Sequence, residues 1–346
     1  MPPMTEATQP PRRARRGSGA VTLHDVARLA GVAPITASRA VNTPAQVSPE
    51  VLKRVQDAVA RTGYVPNRMA GSLASARSRL VAAVVPTIAG PVFLQTIQAL
   101  TEALADDGYQ LMLGQSGYAQ NREDALLDAI IGRRPDGIVL TGVMHSPSAR
   151  KRLMACGIPV VETWDLTPTP IDMLVGFSHA DVGRQVAAFF CAKGHRRLGI
   201  VLGDDERAER RLRAYEAESL ALGLAPVQAE VVTAPTTLRS GREALARLLQ
   251  RPEPIDAVFC SSDLLALGVL TEAQARGIDV PRQLAIVGFG DLEFAADVHP
   301  ALTSVHIKGA EIGRQAARFI LDRVEHRAEG PRVVDIGFSI IERQTA

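Results

Sequence analysis

At 346 residues, with 46% apolar and 22% charged side chains, the chain is long enough to bury large cores in two or three domains. No apolar run reaches the length of a membrane span, and the arginines among the first twenty residues lead into no apolar signal segment, so a membrane or exported protein is disfavoured and a cytoplasmic one expected. The net charge of +2 is unevenly spread: residues 1–79 hold twelve Lys or Arg against four acids, leaving −6 on the remainder, which suits a nucleic-acid binder with a separate second function as well as a basic tail on a soluble enzyme.

Residues 1–20, rich in Pro, Arg, Gly and Ser, are expected to be a disordered basic tail. A first helix is predicted from Leu23 to Ala30, with Thr22 as cap, Asp25 in the first turn and Gly31 as terminator. After a three-residue turn, Pro34 opens a second helix, where its missing N–H costs nothing. A third runs from the Ser48 cap to Gly63, with Val51, Leu52, Val55, Ala58 and Val59 at helical spacing. Three short helices joined by a tight turn form a helix-turn-helix unit over 21–66. The second helix is short and polar, with Thr36, Ser38 and Arg39 in place of a continuous apolar face. The segment NRMAGSLAS within 67–79 is only weakly helical, because Gly71 lowers helix stability by about 1 kcal/mol.

From Leu80 short apolar strands alternate with helices in two successive runs, LVAAVV to MLVGF and RLGIVLG to LAIVGFG. Such alternation predicts an α/β class: two doubly wound parallel-sheet subdomains behind an all-α head, with a ligand cleft where strand ends meet. The expected division of the core 80–346 is 80–177 with 308–328 and 178–307 with 329–346; the late strand VVDIGFSII can cross back between the two. Cys156, Cys191 and Cys260 lie far apart beside apolar neighbours, a pattern of reduced core residues and not of a disulfide framework or zinc knuckle. No metal or cofactor is expected. GFGDLE at Gly288 lacks the third glycine of a dinucleotide loop and no P-loop occurs, which argues against a nucleotide-dependent enzyme; a sugar-binding protein without DNA function is disfavoured by the helix-turn-helix.

The motifs TLHDVARLAGV, SRAVN and GYVPN, in that order and followed by paired α/β runs, resemble the LacI family of repressors over the whole chain from Val21. GYQLMLGQSGY, GIPVVE, VGFSH, VFCSSD and VDIGFS resemble its gluconate-operon repressor branch. The resemblance implies a periplasmic-binding-protein-like body, a homodimer, and a palindromic double-stranded operator as partner. The second helix then lies in the major groove, which explains its polar character. By resemblance, Pro34 and Ile35 fill the positions that select the operator, Thr36, Ser38 and Arg39 match the more uniform part, and Thr22, His24 and Asn42 match phosphate contacts. In the hinge, Leu73 matches a leucine that wedges into the minor groove, with Asn67, Arg68 and Ala70 around it.

The family's sugar site departs from its usual pattern here. Trp164, Ser262 and Gly290 stand where an acid, an asparagine and an acid are found, while Arg211 matches a retained arginine. Removing carboxylates around a guanidinium suits an anion, so the expected effector is a sugar acid, gluconate first, with 2-ketogluconate, a phosphorylated sugar acid or a neutral sugar behind it. Phe93 and Trp164 are expected to cover the carbon chain, and Glu162, His145, Ser262 and Asp291 to take hydroxyls. Plainer roles compete: His145 as cap of the helix after Pro147, Asp291 as a turn residue, and two of Arg207, Arg210 and Arg213 as solvated side chains.

Overall fold

The computed structural model describes residues 21–65, 77–117, 120–327 and 332–346, and the chain divides into two compact units, one ending at Ser78 and one beginning at Arg79. In the first unit α1 (Leu23–Ala30), α2 (Pro34–Asn42) and α3 (Pro49–Thr62) follow in order, with a 3-10 turn at Pro44–Gln46. Thr22 and Asp25 cap α1 reciprocally: the hydroxyl oxygen accepts from Asp25 N–H and the carboxylate from Thr22 N–H. Ser48 accepts from Val51 N–H to start α3. Val26, Ala30, Ala40, Val55 and Ala58 form the small core, closed by Val51, Leu52, Val59 and Tyr64. The inner face of α2 is only Ala37 and Ala40, so this helix packs close while its larger side chains stay outside.

The second unit alternates strands and helices as β1 (Leu80–Val85), α4 (Leu94–Asp106), β2 (Gln110–Gln115), α5 (Gln120–Ile131), β3 (Gly137–Thr141), α6 (Pro147–Ala155), β4 (Val160–Thr163) and β5 (Met173–Gly176). It continues as α7 (His179–Ala192), β6 (Leu198–Gly203), α8 (Glu206–Ala221), β7 (Gln228–Val232), α9 (Leu238–Leu248), β8 (Ala257–Cys260) and α10 (Asp263–Ala275). Then come β9 (Ala285–Gly290), α11 (Phe294–Asp297), β10 (Thr303–His306), α12 (Gly309–Val324), β11 (Arg332–Asp335) and β12 (Ser339–Ile341). Two six-stranded sheets result, ordered β11-β5-β4-β3-β1-β2 and β12-β10-β9-β8-β6-β7, parallel except where β12 runs against β10. The central strands β1, β3, β4, β8 and β9 are buried on both faces, as the largely apolar runs of β1, β3, β8 and β9 require, while β4 also buries Glu162 and Thr163.

The chain passes between the lobes after β5, after β10 and after β11. The expected division is corrected at the last passage. Residues Arg332–Asp335 pair in parallel with Met173–Gly176 and so belong to the first lobe, not the second. VVDIGFSII is two strands, because Gly337 adopts a φ of 63°, open at little cost only to a residue without Cβ, and its N–H turns back onto the Asp335 carboxylate. A closer approach occurs between α7 and α8: a Cβ on Gly183 would stand 2.3 Å from the Arg211 carbonyl oxygen. Of the three cysteines only Cys260 is fully buried; Cys156 and Cys191 are half-buried, so the core assignment holds for one of them. No helix among the described residues is long and apolar enough to cross a membrane.

Candidate functional site

On α2 the exposed side chains are Pro34, Ile35, Arg39 and Asn42, with Thr36 and Ser38 half-buried. Ile35, Arg39 and Asn42 recur at helical spacing on the face opposite Ala37 and Ala40. Ile35 is 61% exposed, a large apolar side chain left mostly uncovered by the described residues. The Arg39 guanidinium makes no hydrogen bond or ion pair among the described residues, although the Arg39 carbonyl accepts from Thr43. Asn42 donates to the Ser38 hydroxyl at 3.3 Å, which leaves the Ser38 O–H to donate outward. Thr22 is already engaged: its hydroxyl donates to Asp25 at 2.6 Å, so it serves the α1 cap first. His24 is exposed on α1. Asn67, Arg68, Ala70 and Leu73 lie outside the described residues.

In the second unit a cavity, partly open to solvent, lies between the lobes. It is lined by Thr87, Val92, Phe93 and Trp164 from the first and by His179, Asp205, Arg207, Arg211, Thr236, Ser261, Ser262 and Phe289 from the second. Arg211 is 4% exposed and forms no ion pair among the described residues. One amino group donates to His179 Nδ1 at 2.8 Å and the other to the Ser261 carbonyl at 3.4 Å, the guanidinium lies 4.3 Å from the Phe289 ring centre, and Nε is buried without a partner. Burial lowers its pKa to about 10, which still leaves it charged at neutral pH. Phe93 and Trp164 meet edge to face at 5.0 Å, and Trp164 Nε1–H donates to Thr96 at 3.1 Å. Ser262 caps α10 and shares a hydrogen bond with Thr236.

The structure therefore brings Phe93, Trp164, Arg211 and Ser262 to one cavity. Three other expected residues lie elsewhere. His145 lines an adjoining space with Glu123, Asp204, Asp205, Glu206 and Arg207; it does not cap α6, which Ser146 does. Glu162 lines neither space. It is fully buried on β4, accepting from Ile171 N–H at 2.6 Å and facing His145 Nε2 at 3.5 Å, so it takes no ligand hydroxyl in this cavity. Burial pushes its carboxyl pKa up. Burial alone would lower the His145 pKa, but the Glu123 hydrogen bond and both carboxylate charges outweigh it and raise it. Asp291 also lines neither space: at φ 51° its carboxylate turns to Arg343 at 2.7 Å and to His306 at 2.9 Å.

Two further expectations are corrected. Only Arg213 of the three neighbouring arginines is a solvated side chain. Arg207 stacks 5.3 Å from the Phe93 ring centre, and Arg210 pairs with the buried Asp165 of the other lobe at 3.0 Å. One carboxylate does remain in the lining, that of Asp205, whose Oδ1 is occupied in capping α8. Sequence reasoning missed His179 and Ser261, which reach Arg211 from segments 32 and 50 residues away; both lie inside quoted motifs, VGFSH and VFCSSD, but nothing in either motif shows that it meets Arg211.

A helix-turn-helix head presenting a polar helix face, joined to a two-lobed body with a cavity at the strand ends, defines a ligand-responsive DNA-binding regulator. The model for bacterial regulatory proteins of the lacI family matches residues 22–67, and that for the periplasmic binding protein-like domain matches residues 187–346. The HTH-type transcriptional regulator GntR of Pseudomonas aeruginosa is 36% identical over 95% of this chain and 97% of its own. Its namesake in Escherichia coli is 32% identical over 92% and 96%. The crystal structure of a LacI-family regulator from Silicibacter pomeroyi superposes with a TM-score of 0.88 at 32% identity, covering 94% of this chain and 99% of that one. The chain belongs to the LacI family: it is a transcriptional regulator with a helix-turn-helix DNA-binding domain, and not an enzyme.

Proposed function

We propose that this regulator is a homodimeric repressor that holds a palindromic operator through α2 and is released by a sugar acid, gluconate first, bound at Arg211. The observation that carries the effector reading is the buried Arg211 guanidinium with no carboxylate partner among the described residues and Nε left unsatisfied. A desolvated cation of this kind is costly unless an anion completes it, and a carboxylate does so with charge-assisted hydrogen bonds. Phe93 and Trp164 supply apolar faces for the carbon chain, and the Thr236 and Ser262 hydroxyls lie in the same lining.

The adjoining space ranks the candidates. Its lining carries Glu123, Asp204, Asp205 and Glu206 against Arg207 and His145, an excess of negative charge. Hydroxyls at the far end of the ligand find acceptors there, and a second anionic group is repelled, so a monoacid is favoured over 6-phosphogluconate. Calorimetric titration with gluconate, 2-ketogluconate, 6-phosphogluconate and glucose tests this. Gluconate should bind most tightly, and Arg211→Ala should weaken it by at least about 3 kcal/mol, roughly 100-fold. Tight binding of glucose with none of the acids would overturn the reading.

A further inference from the structure

We propose that His179 is a positioning residue for the anion site: tied to the Trp164 carbonyl, its imidazole holds Arg211 so that Nε–H stays available to a ligand carboxylate. The two partners of the ring leave one arrangement. The Trp164 carbonyl, 2.9 Å from Nε2, only accepts, and the Arg211 amino group, 2.8 Å from Nδ1, only donates. Nε2 must carry the proton and Nδ1 the lone pair; the other tautomer, or an imidazolium, would set N–H against N–H on the Arg211 side. Burial drives the imidazolium well below its ordinary range, and Arg211, Arg207 and Arg210 of α8 all push the same way.

The ring itself is clamped edge-on by Phe177 at 4.7 Å. Phe289, 6.1 Å from the imidazole, is also the ring beneath the Arg211 guanidinium. Gly183, one turn further along α7, lets α8 approach closely enough for the bond to form. The tie also joins the lobes, since His179 and Arg211 stand on the second and Trp164 on the first. From Trp164 the chain of hydrogen bonds runs on through Nε1–H to Thr96 and from the Thr96 hydroxyl to the Gly309 carbonyl at 2.8 Å, beside the passage from β10 to α12.

The inference rests on the reading of the Arg211 cavity as an anion site, with gluconate as probe; the tautomer of His179 and its tie to Arg211 and Trp164 are tested independently of it. On the full-length protein, glutamine at 179 can reproduce both bonds, its carbonyl accepting from Arg211 and its amide donating to Trp164, whereas leucine fills the space and makes neither. Calorimetry should show His179→Leu weakening gluconate binding by about tenfold or more, with His179→Gln closer to wild type than to the leucine variant and both unfolding at similar temperatures. A loss below about tenfold for leucine, or equal losses for the two, assigns His179 a packing role and sinks the proposal. A second readout needs no ligand: long-range proton–nitrogen spectra should show a neutral, Nε2-protonated ring throughout about pH 5.5 to 8.5. An Nδ1-protonated ring, or a titration midpoint inside that window, overturns the positioning claim. If wild type binds none of the acids, the effector reading fails, and the spectra still decide the role of His179.

Discussion

Asp263, the first residue of α10, is fully buried and accepts from the Ser304 hydroxyl at 2.6 Å and from Leu292 N–H at 2.7 Å. Burial outweighs those bonds and raises its pKa from 3.8 to about 6. Between those values the folded chain holds a proton that the unfolded chain has lost, so stability falls as pH climbs through the window, by about 3 kcal/mol for two units. Asp263→Asn should flatten this decline, read as urea midpoints at pH 4 and pH 7 for variant and wild type. On the head, Arg39→Ala should cost about 1–3 kcal/mol of operator affinity and relax the preference at one base pair, measured by competition among single-base operator variants; a uniform loss over all variants would mark Arg39 as a phosphate contact instead. At this scale the resemblance singled out Arg211, Trp164 and Ser262, and the chemistry of the carbon chain singled out Phe93; the fold gathers all four in the lining of one cavity. The reading of polar side chains put Asp291 and Glu162 there too, but a positive φ and a buried neighbour, neither visible in a sequence, aim those carboxylates elsewhere, and His145 faces the adjoining space.

Helices α1 to α3 were legible because each boundary is local chemistry: Thr22 and Ser48 at caps, Pro34 and Pro49 at first positions, Gly31 and Gly63 at the ends. The split of VVDIGFSII was not, since an apolar run is equally compatible with one strand or with two that pair in different sheets, and only the pairing with β5 decides. The contact of α7 with α8 depends on Gly183, and here two effects oppose. Gly183→Ala gains about 1 kcal/mol of helix propensity but drives a methyl to 2.3 Å from the Arg211 carbonyl, a backbone atom that cannot swing aside. Overpacking of that kind costs about 1–3 kcal/mol or more, so the variant should be less stable in urea. Because the oxygen it strikes belongs to Arg211, gluconate affinity should fall with it; unchanged binding would show that the spacing of these helices does not set the aim of the guanidinium.

The division into two compact units explains how a basic head and a mildly acidic body coexist in one chain: the first carries charge toward a polyanion, the second builds a cavity from two sheets. That organisation was legible from the charge asymmetry and the change of period at Leu80, because both are summed over many residues and survive local errors. Release of an operator by an effector requires the effector to favour the released form, and binding linkage makes the effect reciprocal. Gluconate should weaken operator binding by the same factor by which operator weakens gluconate binding, about 5–150-fold for a coupling of 1–3 kcal/mol. The body alone, residues 79–346, should bind gluconate as the intact chain does without DNA, since the cavity lies wholly within that unit. Adding operator should change the gluconate titration of the intact chain and leave that of the body untouched. Equal gluconate affinities for free and operator-bound intact chain would mean that the cavity is occupied without being coupled to DNA, because a ligand with the same affinity for both forms shifts neither.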